Sequence, residues 1–202
     1  MMKWRLDEFT KSGFANLLRP FENCLDDIIK TTRAFGMATR AHLGQFKDET
    51  RAEPYINHPL RVALILTEEL HKYDVNLVCA ALLHDVIEKS DYNRSITEDE
   101  IRKESGEYVY NIVHALIKPK TVYDEKEKLL NEYFERIKRA SQPVRYIKLA
   151  DELDNIRSLK NSVHKDMVLR YKQEAQKYIV PIAEQTDEKL IFKLSIALYE
   201  LK

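Results

Sequence analysis

Glycine and proline are scarce in this chain, at four and six of 202 residues. Apolar positions recur mostly at helical spacing and charged residues fill the rest. The expected fold class is therefore all-α, a single helical bundle of about eight to ten helices. Cysteine is nearly absent. Cys24 and Cys79 are too few for a disulfide framework or a cysteine-type zinc site, and Cys79, inside an apolar run, is expected to be a buried thiol. Net charge is missing as well. Lys plus Arg and Asp plus Glu both total 33, without the basic excess of an obligate binder of nucleic-acid polymers or membrane surfaces. The first residues lack the apolar stretch of a signal peptide, and no segment approaches transmembrane length, so the cytoplasm is expected. No repeat, low-complexity tract or linker divides the chain, and residues 1–202 are expected to form one domain. A chain of this size buries roughly 70% of its unfolded surface without staples.

Boundary residues place the helices. One is expected over Cys24–Leu43, with Ala34, Met37 and Ala41 in the core, followed by a charged loop, Gln45–Glu53. Pro59 is expected to open another, running to about His71, because proline is best tolerated at the first helical position. Val75–Glu88 is an apolar helix carrying His84. Thr97-Glu-Asp-Glu100 is a capping box that starts the next helix, and Gly106 separates that one from a helix ending near Pro119. Later helices are expected over Asp124–Ala140, Pro143–Lys160, Lys165–Glu184 and Thr186–Leu201. Residues 1–22 hold a further helix with Trp4 and Phe9 as packing candidates, and the last helix offers Leu190, Ile191, Leu194 and Leu198 to the core or to a second subunit.

What the chain does contain is His84 beside Asp85, in the middle of Cys79-Ala-Ala-Leu-Leu-His-Asp-Val-Ile87. A buried carboxylate without a partner costs several kcal/mol or takes up a proton, and a bound cation would resolve that cost. Two further candidates accompany the pair. His58 lies between Asn57 and Pro59 at the mouth of an expected helix, where the imidazole and the positive helix end would meet. Asp151 follows the mostly apolar stretch Ile147–Ala150. Two imidazoles and two carboxylates, His58, His84, Asp85 and Asp151, form a borderline N/O set that suits manganese, ferrous iron, zinc or magnesium.

Helical spacing adds a second set. Glu88, four residues after His84, would share its helix face and could orient or deprotonate a water. Asn155 and Ser158 extend a polar stripe from Asp151, suited to binding part of a substrate. The bland alternative for any one of these histidines is a hydrogen-bonded core residue; it is the combination that argues for a metal. His71 and His164 are expected at the surface and His114 half-buried. Tyr55, Tyr133, Phe134, Tyr146 and Tyr178 read as packing aromatics, and Lys118 or Lys120 as possible phosphate contacts.

Four motifs then occur in order: Ala41-His-Leu-Gly-Gln45, Pro54-Tyr-Ile-Asn-His-Pro59, Ala80-Ala-Leu-Leu-His-Asp-Val-Ile-Glu88 and Lys148-Leu-Ala-Asp-Glu-Leu-Asp-Asn-Ile-Arg157. Over roughly Ile29 to Ala183 the chain resembles the HD-domain phosphohydrolases, specifically the RelA/SpoT-type alarmone hydrolase branch with its small stand-alone members. The resemblance implies an all-α HD fold and one divalent metal, typically manganese, on His58, His84, Asp85 and Asp151. It also implies hydrolysis of the 3′-pyrophosphate of guanosine tetra- or pentaphosphate. Asn155 and Ser158 match positions near the nucleoside, and Tyr171 matches a pocket tyrosine. Lys47, or Arg51 in the lengthened loop, matches a basic residue that stacks on guanine.

One departure bears on the chemistry. The family pattern places a second acid after Glu88, and this chain has Lys89. Charged lysine cannot accept a proton and would repel a nearby metal, but it suits a substrate phosphate; Asp91 could substitute only if the chain turns back. Three outcomes stay open: a slower alarmone hydrolase, a phosphatase for another nucleotide such as a nucleoside monophosphate or NADPH, or a silent alarmone-binding module. The remaining length is expected to hold no synthetase-like or regulatory domain.

Overall fold

In a computed structural model, residues 6–47, 53–89, 96–119, 125–160 and 164–201 are described. They form eleven α-helical segments and no β-strand; the nearest approach to one is an isolated antiparallel bridge between Phe46 and Pro54. Two compact units divide the chain at Ile117.

The first unit holds α1 (Glu8–Leu18), α2 (Leu25–Ala41), α3 (Asn57–Leu64), α4 (Val75–Leu83), α5 (Glu98–Ser105) and α6 (Glu107–Leu116). Its centre is α4, apolar on every side, with Leu77 to Leu83 all buried and α2, α3 and α6 packed around it. Asp74 starts this helix by accepting the Leu77 N–H at 2.9 Å, the ordinary N-cap arrangement. Alanines at 34, 38 and 41, all fully buried, bring α2 in close. The expected helix start is in place: Thr97 accepts the Glu100 N–H at 3.1 Å and α5 begins at Glu98, while the Glu100 carboxylate pairs with Arg40. Gly106, at φ +91°, ends α5 and starts α6 in a backbone conformation that L side chains rarely adopt. His114 is exposed rather than half-buried, because α6 turns Val109, Tyr110, Ile112, Val113 and Leu116 inward and leaves His114 on the other side.

The N-terminal helix has a definite job here. Asp7 caps it, accepting the Thr10 N–H at 2.7 Å, and the Thr10 hydroxyl donates to Oδ1 of Asn57 at 2.6 Å. The Asn57 amide in turn donates to Oδ2 of Asp7 at 2.8 Å. Gly13 lets α1 lie against α3, since a Cβ there would meet Leu60 at 3.1 Å and Leu64 at 3.3 Å. Phe9 is partly exposed, and Trp4 lies outside the described residues.

The second unit contains α7 (Lys126–Arg139), α8 (Gln142–Leu159), α9 (Lys165–Glu174), α10 (Val180–Glu184) and α11 (Glu188–Glu200). A π-turn at Ala175–Ile179 joins α9 to α10 in one continuous rod, matching the single helix expected there. Helix α8 runs through the middle against α7, α10 and α11. Asp187 caps α11 and also accepts the Tyr146 hydroxyl at 2.9 Å. Leu190, Leu194 and Leu198 are buried, and Ile191 half-buried. Cys79 is buried, and burial pushes its thiol up to about 12. No helix among the described residues is long and apolar enough to cross a membrane.

Candidate metal centre

Three of the four expected ligands belong to the first unit. Helix α3 begins at Asn57, two residues before Pro59, so His58 sits inside its first turn. The N–H groups of Asn57, His58 and Leu60 are taken by the carbonyls of Pro54, Tyr55 and Ile56, and proline has none. The expected open helix end is thus replaced by a closed turn, and what α3 presents is the His58 ring.

The second correction concerns α4, which stops at Leu83 rather than Glu88. The His84 ring explains the stop. Its Nδ1 lies 2.8 Å from the Ala81 carbonyl, the acceptor that the Asp85 N–H would use in a continuing helix. The chain instead tightens, with the Val86 N–H on the Leu83 carbonyl at 3.1 Å. A carbonyl can only accept, so Nδ1 carries a proton, and Nε2 is the ring atom left to ligate a metal once it holds no proton of its own. Glu88 lies in the following turn and is exposed, not on an α4 face shared with His84.

Three buried residues converge at this point. The Nε2 atoms of His58 and His84 lie 3.6 and 3.4 Å from Oδ2 of Asp85. Two donors sharing one ion at about 2.1 Å lie roughly 3.0–3.6 Å apart for bond angles between 90° and 120°, so the spacing fits a common cation. Burial pushes the Asp85 carboxyl up, but His84, Lys89 and His58 outweigh it and hold the group well below the usual carboxylate range. Asp85 is ionised, as a ligand must be.

Tyr55, read from the sequence as a packing residue, belongs to the site. Its hydroxyl donates to Oδ2 of Asp85 at 2.6 Å. Lys89 reaches the same oxygen, with Nζ at 2.9 Å, and lies 2.8 Å from the Tyr55 hydroxyl. Behind them stands His42, buried, its ring 4.7 Å from that of Tyr55 and its Nδ1 2.9 Å from Oε1 of Gln45. Burial pushes the His42 imidazole toward its neutral form. The Gln45 amide then donates to the Lys89 carbonyl at 2.8 Å. The motif around His42 and Gln45 therefore braces the turn after α4, which no spacing rule reveals. Lys47 is half-buried beside the Phe46–Pro54 bridge, with its N–H on the Glu53 carbonyl at 3.0 Å. Arg51, Asp91 and Lys120 lie outside the described residues.

The second unit holds Asp151, buried on α8. Lys148 Nζ lies 2.8 Å from its Oδ2 and 2.7 Å from Oε1 of Glu152. The Asn155 amide donates to its Oδ1 at 2.7 Å. Burial alone would lower the Lys148 ammonium, but Asp151 and Glu152 hold it well above its usual value. Tyr171 donates to Oε2 of Glu152; burial, and the Glu152 and Asp151 carboxylates, push its hydroxyl well above the usual range. Ser158, exposed, donates to the Asp154 carbonyl at 2.8 Å, and Lys118 lies 3.8 Å from Glu174. The i, i+3, i+4 spacing of Lys148, Asp151 and Glu152 was a readable signal for this cluster.

A sequence model of the HD domain family matches residues 34–187. The guanosine-3′,5′-bis(diphosphate) 3′-pyrophosphohydrolase MESH1 of Xenopus tropicalis is 38% identical over 127 residues, covering 63% of this chain and 68% of its own. The human protein of that name is 36% identical over 126 residues, covering 62% and 67%. The bifunctional (p)ppGpp synthase/hydrolase SpoT of Escherichia coli K12 is 34% identical over 164 residues, 79% of this chain but 22% of that longer protein. A solved structure of a metazoan SpoT orthologue, described as hydrolysing ppGpp and playing a role in starvation responses, superposes with a TM-score of 0.73 at 28% identity, covering 85% of this chain and 94% of that one.

Proposed function

The chain belongs to the HD domain family, and from that premise we propose that it is a metal-dependent hydrolase of the 3′-pyrophosphate of guanosine tetra- or pentaphosphate. The observation that carries this reading is the convergence of His58 and His84 on Oδ2 of Asp85 at 3.6 and 3.4 Å. The MESH1 relatives, named for this activity, support it. In this reading residues 1–202 act as one domain, and Asp151 of the second unit completes the set begun by His58, His84 and Asp85. A mixed set of two imidazoles and two carboxylates suits manganese, with iron, zinc and magnesium as alternatives.

When bound, the cation supplies Lewis acidity toward a phosphoryl oxygen and acidifies water. The protein's own residues do the rest. The Ala81 carbonyl holds His84 in the ligating tautomer, and Tyr55 and Asn155 fix the carboxylates of Asp85 and Asp151 by single hydrogen bonds. Glu88, exposed in the turn after α4, takes the proton of the attacking water at its carboxylate. Lys47, or Arg51 in its place, is assigned to the guanine, and Asn155, Ser158 and Tyr171 to the nucleoside side of the pocket. Lys89, the residue in place of a second acid, contributes positive charge toward the phosphates.

Metal content and product identity test this directly. Purified protein should carry one divalent ion per chain and release pyrophosphate from guanosine tetraphosphate with manganese, and His84→Ala should lose both the ion and the activity. Orthophosphate release from a nucleoside monophosphate or NADPH would give the protein a different substrate, and tight alarmone binding without turnover would make it a binding module.

A further inference from the structure

Asp85 has a cationic side chain on its carboxylate before any divalent ion is added. The Asp85 side chain is 8% exposed, and Lys89, 42% exposed, reaches its Oδ2 at 2.9 Å from the solvent side. The backbone of Lys89 is held at both ends, its N–H by the Asp85 carbonyl at 2.8 Å and its carbonyl by the Gln45 amide at 2.8 Å. The part that can move is the four-carbon stem. An ammonium on Oδ2 and a divalent ion bound through the same oxygen lie within about 5 Å of each other, where like charges repel strongly in a half-buried site.

We propose that Lys89 is a resident counter-ion that changes places with the divalent cation. It neutralises Asp85 beforehand, and once the cation has taken that carboxylate it turns outward to hold a terminal phosphate of the substrate. The role rests on the proposed cation centre and extends it to substrate choice. A compact ammonium with three donors recognises a phosphate end with more than one negative charge. The Tyr55 hydroxyl, 2.8 Å from Nζ and 2.6 Å from Oδ2, stays with Asp85 through the exchange and keeps the carboxylate in register.

Competitive acetylation read by mass spectrometry follows Lys89 alone in the full chain. Its labelling should rise several-fold when manganese saturates the protein and fall again when inorganic phosphate is added. Calorimetry should show Lys89→Met binding manganese about tenfold tighter or more, the strength of one hydrogen-bonded charge pair, with Lys89→Arg near wild type. Labelling that ignores manganese, or equal manganese affinity in Lys89→Met, overturns the exchange, and labelling that phosphate does not lower overturns the outward role. If the wild type binds no manganese, the cation centre itself falls. If it binds manganese while Lys89 responds in neither measurement, only the role of Lys89 falls.

Discussion

The hydroxyl of Tyr55 and the carboxylate of Asp85, 30 residues apart in the chain, meet at 2.6 Å. The bond joins the segment before α3 to the turn after α4, so it sets the distance between the elements carrying His58 and His84. Tyr55→Phe keeps the ring against His42 and deletes this bond. A hydrogen bond to a charged acceptor contributes about 1.5–3 kcal/mol, and urea unfolding should show a loss in that range. An unchanged midpoint and slope would mean the contact does not hold the site.

Chelation offers a second check. A ligand that binds only the native state at a hundred times its dissociation constant stabilises it by about 2.7 kcal/mol. For a chain of this length that corresponds to roughly 5–10 °C in melting temperature. Scanning calorimetry with saturating manganese against excess chelator should show this gap in the wild type and abolish it in His84→Ala.

Lys148 should be far more sensitive than its surface neighbours. It is buried between Asp151 and Glu152 at 2.8 and 2.7 Å, and removing one partner of a buried ion cluster costs about 3–5 kcal/mol. Lys148→Met should lose that much in denaturant unfolding at neutral pH. The ammonium is raised well above its usual 10.5, so the unfolded chain releases its proton first. The stabilisation is full below 10.5 and fades as pH climbs through the folded value. The gap between wild type and Lys148→Met should therefore stay constant from pH 6 to 9.

Asp7 carries the opposite sign. Burial would raise its carboxyl, but the Thr10 N–H, the Asn57 amide and Arg61 outweigh it and hold it below the usual 3.8. Its contribution is present above 3.8 and lost as pH falls through the lower folded value. Asp7→Ala should destabilise by about 1–2 kcal/mol at neutral pH through the lost N-cap, and the difference should shrink below pH 3.8. A constant difference down to pH 2 would show that charge plays no part.

Much of the architecture could be read from local signals. Thr97 caps α5, Gly106 breaks it from α6, and the polar pair His84–Asp85 announces itself by interrupting an apolar run. The end of α4 could not be read, because no glycine or proline marks it; a ring nitrogen of His84 taking the Ala81 carbonyl does. The N-terminus of α3 differs from its sequence expectation for a related reason: the turn at Pro54–His58 satisfies the donors that proline spacing leaves open. Tyr55 reads as packing in the sequence because its polar partner is remote along the chain, and only the fold brings the two together. Lys148 was different: its carboxylate partners lie three and four residues on, and helical spacing alone would have found it.

The double hydrogen bond that ties Asp7 and Thr10 to Asn57 bears on how the protein can be handled. Asn57 directly precedes His58, so α1 acts as a splint on the backbone of a residue assigned to the cation. A bulky affinity tag placed close before Asp7, or a protease cut inside α1, works on that splint while leaving every donor atom of the centre in place. Preparations that differ only at the amino end should then differ in how firmly they retain metal.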